Sequence, residues 1–314
     1  MTRALIVASR GAGLTTFVGL LYMAQVRLAT EEGSRFRFHA EHATLRQLDH
    51  LYADLGAGRF PTRDESWDEH PLSFTFEFGP GRSVGSGRLG RWFGGRGGRV
   101  EIGGITTEEL AELARNDHVL ADVTGDLLRS PVVIALVDAS RFRPIPPGAA
   151  APAPPVDDPL LAASLALLAR YLSTEPDRRA RTMHPIFVLT KLDRCPKEAR
   201  DRLEGPTGTI DAVPGTEREG FGRRTLEQYL PATGRWLAEA GTDSPVPVGP
   251  VAWYFSSVRP REGGAESTIA LRSRLPAGGW EPVYPYAEYR ALIEQLGRLS
   301  ERLPEDSDAR ERGY

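Results

Sequence analysis

The sequence lacks the residues and runs that several classes of protein require. Its 314 residues include one cysteine, Cys195, which excludes an internal disulfide, and its six histidines show no spacing typical of a zinc site. The apolar stretch from Phe17 to Leu28 is too short to span a bilayer and contains Gln25 and Arg27. The N-terminus has no signal-peptide pattern, so we expect a cytoplasmic protein without a membrane span.

Neither sign of charge dominates the chain. The 39 basic and 42 acidic residues give a formal net charge of −3, so we expect neither a membrane nor nucleic acid as a partner. Lysine is scarce, because only Lys191 and Lys197 are lysines and every other basic residue is arginine. Hydrophobic residues make up 40% of the chain and charged residues 26%, as in an ordinary globular protein.

Apolar segments with strand-like and helix-like periodicity alternate along the chain. The predicted strands cover 3–8, 72–78, 99–102, 131–137, 185–189 and 251–255. The predicted helices cover 15–29, 43–55, 107–116, 158–173, 225–240 and 286–303. This alternation predicts a three-layer α/β fold with a mostly parallel central sheet. We expect one domain over 1–303, with insertions near 79–99 and 141–156, and a flexible charged tail over 304–314.

The first predicted strand leads into a glycine turn and an apolar helix, which is the layout of a phosphate-binding loop. Set against G-x-x-x-x-G-K-[ST], the chain has Ala8 for the first glycine and Leu14 for the lysine. Gly11 and Gly13 would still turn backbone N–H groups toward phosphate at a helix N-terminus. Thr15 stands where a Mg²⁺-binding hydroxyl would be. The predicted phosphate loop comprises Arg10, Gly11, Ala12, Gly13, Leu14, Thr15 and Thr16.

A second motif directly follows a buried strand far downstream. Thr190-Lys191-Leu192-Asp193 matches [NT]-K-x-D, the element with which P-loop GTPases bind guanine. Asp193 would accept hydrogen bonds from guanine N1 and N2, which adenine cannot donate, and the stem of Lys191 would cover the ring face. The chain has only two lysines, so the presence of one of them at this position favours a guanine-binding role over a chance match.

Small polar residues follow two further apolar strands. Asp138 ends the strand over 131–137, and Ser256 and Ser257 follow the strand over 251–255. The serines match the loop that presents backbone N–H groups to guanine O6 in GTPases. Because the carboxyl ends of parallel strands meet at one edge of a sheet, we expect the phosphate loop and these strand ends to line one crevice.

The γ-phosphate sensor D-x-x-G has two candidates. Asp122-Val123-Thr124-Gly125 has the letters but lies too close to the next strand for a switch helix. We favour Glu101-Ile102-Gly103-Gly104, with Glu101 and Gly104 as switch residues, because it follows Val100 and precedes a predicted helix. Thr62 is a candidate switch threonine.

These motifs, in this order, resemble a P-loop GTPase of the translation-factor class. The run from Arg10 to Phe17, followed by Leu20-Leu21-Tyr22, is similar to the opening of the bacterial double-GTPase families of GTPase-associated conflict systems. Val133 to Ser140 matches the fourth strand of those families. The resemblance covers residues 3–300 and implies a GTPase fold, a guanine preference, and GTP or GDP with Mg²⁺ as ligands.

The missing lysine and the missing D-x-x-G predict a degenerate GTPase. We expect weak or lost guanine-nucleotide binding, impaired hydrolysis, and a role as a regulatory or scaffold subunit whose protein partner is unknown. One alternative is a protein-interaction module that binds no nucleotide. Another is an active GTPase in which an arginine such as Arg10 takes over the role of the loop lysine, which is missing because position 14 is Leu14.

Overall fold

The protein is described here by a computed structural model. It describes residues 2–32, 36–61, 73–78, 98–115, 125–143, 157–175, 182–204, 214–215, 218–243, 246–261, 268–273 and 279–303. Its strands are β1 (Thr2–Ala8), β2 (Phe36–Ala40), β3 (Ser73–Phe78), β4 (Gly98–Thr106), β5 (Val132–Asp138), β6 (His184–Thr190), β7 (Ala252–Ser256), β8 (Leu271–Ser273) and β9 (Trp280–Pro282). Its α-helices are α1 (Leu14–Glu32), α2 (His42–Gly56), α3 (Thr107–Arg115), α4 (Gly125–Leu128), α5 (Asp158–Ser173), α6 (Lys197–Glu204), α7 (Glu219–Gln228), α8 (Pro231–Asp243) and α9 (Tyr286–Arg302).

Seven of these strands form one sheet in the order β2-β3-β4-β1-β5-β6-β7. β2, β3 and β4 pair antiparallel, whereas β5, β6 and β7 pair parallel. Every residue of β5 is buried, so both of its faces are covered, as expected of a strand inside a parallel sheet. The predicted α/β class with a mainly parallel central sheet is confirmed.

Several element boundaries differ from the sequence prediction. β2 was not expected, and β4 continues to Thr106 instead of ending near Ile102. The helix predicted over 225–240 is two helices, α7 and α8, because Pro231 lacks a backbone N–H and disfavours helical geometry in the residue before it. Most of both predicted insertions, and the tail over 304–314, lie outside the described residues.

The chain divides into two compact units. The first comprises residues 1–4, 15–104 and 258–314, and the second comprises 5–14 and 105–257. The expectation of a single domain over 1–303 stays a prediction.

The first unit has its own aromatic and aliphatic core. The rings of Phe17 and Tyr289 lie 5.5 Å apart. Gly19 lets α1 approach α2 closely, since a Cβ at this position would lie 2.7 Å from the Leu55 Cδ1 atom and 3.3 Å from Leu51. The close packing of α1 on α2 therefore depends on the absence of a side chain at Gly19.

The second unit is built around alternate residues of its strands. The core cluster contains one side of each parallel strand, with helix residues against it: Val133, Ala135, Val137, Phe187, Leu189, Trp253, Phe255, Leu161, Leu165 and Leu168. Phe187 stacks on Trp253 with ring centroids 4.8 Å apart. This packing fixes where the strands end, and therefore where the residues after them lie.

Candidate functional site

The predicted phosphate loop is a tight turn between β1 and α1. The N–H of Ala12 donates to the carbonyl of Ser9 at 2.9 Å, and Gly11 and Gly13 have φ values of 82° and 90°. A Cβ on Gly13 would meet nothing within 4 Å. Glycine is therefore required there by the positive φ of the backbone and not by a lack of space. The turn retains the glycine geometry that an anion-binding loop needs.

Three polar residues stand side by side at the carboxyl edge of the parallel strands. Asp138 of β5 pairs with Thr190 of β6, and Thr190 pairs with Ser256 of β7. The Thr190 hydroxyl donates to the Ala12 carbonyl at 2.7 Å, with the Val137 carbonyl 3.2 Å away. The start of T-K-L-D therefore contacts the phosphate loop, although 178 residues separate Thr190 from Ala12 in the chain.

Lys191 joins the loop to the end of β5. Its ammonium donates to the Gly11 carbonyl at 2.6 Å and to Asp138 Oδ2 at 2.8 Å. Among the described residues it is the only non-glycine with a positive φ, at 52°. A left-handed backbone at a non-glycine residue is strained, and such strain concentrates at functional sites. The sequence showed the motif but not this conformation.

Asp138 is the buried acceptor of this cluster, with a side chain only 2% exposed. One carboxylate oxygen accepts from the backbone N–H of Ser140 at 3.0 Å and from its hydroxyl at 2.5 Å, and the other accepts from Lys191. The guanidinium of Arg141 lies 3.5 Å from the same oxygen as Lys191. These contacts compensate the cost of burying the charge.

Arg141 is a cation at the loop that sequence reasoning missed. It donates through one terminal nitrogen to the Arg10 carbonyl at 3.1 Å, and through the other to the Asp157 carboxylate. Ser9 also donates to Asp157, at 2.9 Å. The available signal for Arg141 was its position in the sequence, three residues after Asp138, which ends β5. Nothing in the sequence pointed to Asp157, which precedes α5.

An acidic side chain lies against the same turn. Glu108 accepts from the backbone N–H of Arg10 through both oxygens, at 3.2 and 3.3 Å. Glu108 reaches the turn because β4 continues to Thr106, so that the first residues of α3 lie beside Arg10. Sequence reasoning missed Glu108, because a strand ending near Ile102 would have put residues 101–104 at this position instead.

The other predicted switch residues are placed differently. Glu101 and Gly104 lie inside β4 instead of following it, since the antiparallel pairing with β3 extends to Gly103. Thr62 and residues 122–124 lie outside the described residues. Gly125 is the first residue of the short helix α4.

Two of the predicted guanine-binding residues, Asp193 and Ser257, lie beyond the strands. Asp193 is exposed, on a short 3₁₀ turn over Leu192–Arg194. Partial desolvation raises the pKa of its carboxyl, although its own backbone N–H and the charges of Arg194 and Lys191 act to lower it. Ser257 is half-buried. The guanine contacts of these residues stay a prediction, as does Mg²⁺ binding by Thr15.

A small cavity adjoins the loop on the side of α5. Its volume is about 20 Å³, and it is lined by the side chains Ser9, Thr107, Leu136, Val137, Asp138, Asp157, Asp158, Leu161 and Leu230. That volume suits a water molecule or two, and not a nucleotide. The described ranges hold no group of three His, Cys, Asp or Glu side chains arranged to bind a metal.

Carboxylates and cations alternate around the turn. The carboxylates of Asp138 and Asp157 pair with the cations of Lys191 and Arg141, and Glu108 adds a further negative charge. The backbone N–H of Arg10 is therefore already bound to Glu108, and the cations of Lys191 and Arg141 are already paired with carboxylates.

Comparison with known proteins adds little. No family model matches the chain, and no curated protein matches it. Among solved structures, a chain of the complex titled "Signal recognition particle receptor SRb-GTP/SRX complex", from Chaetomium thermophilum, is 15% identical with a TM-score of 0.35. The match covers 85% of this chain and 94% of that chain. A TM-score this low supports no functional argument. Among the described helices, none has both the length and the apolar character needed to cross a membrane.

Proposed function

We propose that the protein is a degenerate GTPase whose loop and strand ends still form a site for a guanine nucleotide but bind its phosphates weakly. One observation carries the proposal. The only lysine at the site, Lys191, comes from T-K-L-D, and its ammonium is bound to Asp138 and to the Gly11 carbonyl. It therefore cannot also supply the charge that Leu14 has removed from the loop.

The cations bound to the loop are already engaged, which supports weak phosphate binding. Among the described residues, the side-chain cations that contact the loop's carbonyls are Lys191 and Arg141. Each is also paired with a carboxylate, from Asp138 or Asp157. Leaving a charged group without its partner costs about 1–3 kcal/mol. Such a cost, applied to the phosphates of GTP, predicts weak binding and very slow turnover.

The base side supports retained guanine recognition. Thr190 and Lys191 contact the loop directly, which supports a role for T-K-L-D in binding the base of a nucleotide held by the loop. The aliphatic stem of Lys191 remains available to cover a ring, even though its ammonium is engaged. Asp193 is exposed and could accept hydrogen bonds from guanine.

A protein that binds nucleotide weakly and hydrolyses it slowly fits a regulatory or scaffold role better than an efficient catalytic one. The resemblance of its opening run to double-GTPase families supports a place in a bacterial conflict system. In that role the nucleotide site would report occupancy to a protein partner instead of driving turnover.

Calorimetric titration with GTP, GDP and ATP, with and without Mg²⁺, tests the proposal. We expect weak binding that favours guanine, and we expect Leu14→Lys to strengthen GTP binding about tenfold or more, which corresponds to about 1.4 kcal/mol. Leu14→Met, which preserves size without charge, is the matched control and should leave GTP affinity unchanged. Tight Mg²⁺-dependent GTP binding with fast hydrolysis by the unaltered protein would overturn the proposal. Absence of binding or thermal shift with every nucleotide, in both variants, would favour the nucleotide-free interaction module.

One observation favours the active GTPase as a second candidate. Arg141 donates to the loop carbonyl of Arg10 and lies 3.5 Å from the position of a Cβ on Gly11. Arg141 is therefore close enough to the loop to substitute for the lysine. If it does so, Arg141→Ala abolishes GTP hydrolysis, whereas Arg143→Ala, at an exposed site two residues on, does not. Equal and negligible hydrolysis by all three proteins would eliminate this candidate.

A further inference from the structure

We infer that Glu108 is an internal anion that occupies the phosphate loop, and that its charge restrains phosphate binding independently of Leu14. The inference rests on the proposed function and deepens it. It assigns to one side chain the role of keeping polyphosphates off a turn whose backbone geometry is otherwise retained.

The first support is the contact itself. Both carboxylate oxygens of Glu108 lie within 3.3 Å of the Arg10 backbone nitrogen, which donates to them. The hydroxyl of Thr107 donates to Oε2 of the same carboxylate at 3.1 Å. Glu108 therefore accepts the loop's Arg10 N–H as an anionic ligand would, while the hydroxyl of Thr107 on its own helix orients the carboxylate.

The second support is that Glu108 is not required to cap its own helix. Thr106 and Glu109 form a capping box at the start of α3. The N–H of Thr106 donates to Glu109 Oε2 at 2.7 Å, and the N–H of Glu109 donates to the Thr106 hydroxyl at 3.1 Å. Thr107 is 1% exposed, which fixes the first turn further. The capping box thus holds the helix start in place and leaves the carboxylate of Glu108 for the loop.

The third support is charge. A phosphate approaching Arg10 N–H would have to displace a carboxylate and remain close to it, and like charges at such a distance disfavour binding. Two neighbouring cations offset this only in part, because Lys191 and Arg141 are paired with Asp138 and Asp157. Removing the charge of Glu108 would remove this repulsion, and removing the whole carboxylate would also free the Arg10 N–H.

Inorganic pyrophosphate is the probe that isolates this effect, because it presents phosphate without a base. We expect Glu108→Gln, which keeps the shape and removes the charge, to tighten pyrophosphate binding about tenfold in calorimetric titration. Glu108→Ala, which also removes the acceptor, should tighten it at least as much. Glu112→Gln is the matched control, since Glu112 lies one turn later on α3 and is exposed. It should leave pyrophosphate affinity unchanged.

A purely structural role gives a different result. The melting temperature would fall in both Glu108 variants while pyrophosphate affinity stayed at the level of the unaltered protein and of Glu112→Gln. That result, or the absence of pyrophosphate binding in every variant, would overturn the inference. In the unaltered protein, slow hydrogen exchange at the Arg10 amide that becomes faster in Glu108→Ala and not in Glu112→Gln would support the contact.

The two proposals can fail separately. If Glu108→Gln tightens pyrophosphate binding while no variant binds GTP better than ATP, the guanine part of the proposed function fails and this inference stands. If Leu14→Lys strengthens GTP binding while the added Glu108→Gln change contributes nothing to GTP or pyrophosphate, the proposed function stands and this inference fails.

Discussion

Two charged clusters of similar composition lie in the two units, and they differ in what their cations contact. In the first unit, Arg27 donates to Glu31 at 2.8 Å and to Glu281 at 3.0 Å, and Arg272 donates to Glu281 at 2.7 Å. Tyr286 donates to Glu31 at 2.8 Å, and its ring lies 4.0 Å from the guanidinium of Arg27. These contacts are all between side chains, and they join α1 to β9 and to α9.

In the second unit the cations reach the main chain. Lys191 and Arg141 pair with carboxylates as the arginines of the first cluster do, but they also donate to the carbonyls of Gly11 and Arg10. The cluster therefore fixes the conformation of a glycine turn. Charge density alone does not distinguish a site from a structural network. Cations that hold a loop in a ligand-binding shape are the stronger indication of function.

The largest expected effect is that of Asp138→Ala. The substitution removes a carboxylate whose side chain is 2% exposed and leaves Lys191 and Arg141 without a shared acceptor. We expect a loss of about 3 kcal/mol in the free energy of unfolding, at the low end for a broken buried pair because both cations are over a third exposed and can be rehydrated. Chemical denaturation measures the loss, and hydrogen exchange over residues 10–14 should become faster.

Glu281→Ala is the counterpart of this change in the first unit. Its side chain is 6% exposed and also accepts from two cations, Arg27 and Arg272. It should cost about 2 kcal/mol and leave exchange over residues 10–14 unchanged. Equal acceleration of loop exchange by both variants would contradict the distinction drawn between the clusters.

A smaller effect is expected from Lys191→Met, which preserves the stem and removes the ammonium. The loop loses its bond to the Gly11 carbonyl, and Asp138 retains Ser140 and Arg141 as partners. We expect a loss of about 1–2 kcal/mol in the free energy of unfolding, together with weaker GTP binding. The only other lysine, Lys197, is exposed near the start of α6, and Lys197→Met should change neither quantity. Identical behaviour of the two variants would remove Lys191 from the site.

The sequence predicted the parts of this fold that depend on local pattern. The apolar runs of β1, β5, β6 and β7 were recognisable because strands buried on both faces need continuous hydrophobic residues. α5 was predicted over 158–173 and is found there. β2 was missed because its alternation of aromatic and polar residues spans only five positions, and its Phe38 packs on Phe74 and Phe76 of β3, which lies far along the chain.

Only part of the candidate site was predictable from the sequence. The strand-terminal residues could be inferred because parallel strands bring their carboxyl ends to one edge. The contacts of Arg141 with Asp157 and of Arg10 with Glu108 could not, because each joins segments whose relative placement depends on where β4 ends and where α5 begins. The predicted end of β4 was four residues too early, so Glu101 was considered as a switch residue and Glu108 was not considered at all.

The smallest expected effect concerns the first cluster and its dependence on pH. Burial alone would raise the pKa of Glu31, but hydrogen bonds from Arg27 and Tyr286, with the charges of Arg27 and Arg290, lower it below the ordinary value of 4.5. A carboxyl with a lowered pKa in the folded state adds stability above its unfolded pKa, and this stability is lost as the pH falls through the folded pKa. The Glu31 side chain is 37% exposed, so the contribution is at most about 0.5 kcal/mol.

The unfolding free energies of the unaltered protein and of Glu31→Gln should differ by that amount at pH 7. They should converge as the pH falls below about 4.5, because the cluster is stabilising only while Glu31 is ionised. A difference that persisted unchanged to pH 3 would show that Glu31 acts through packing, and that the first cluster is less electrostatic in nature than the one at the loop.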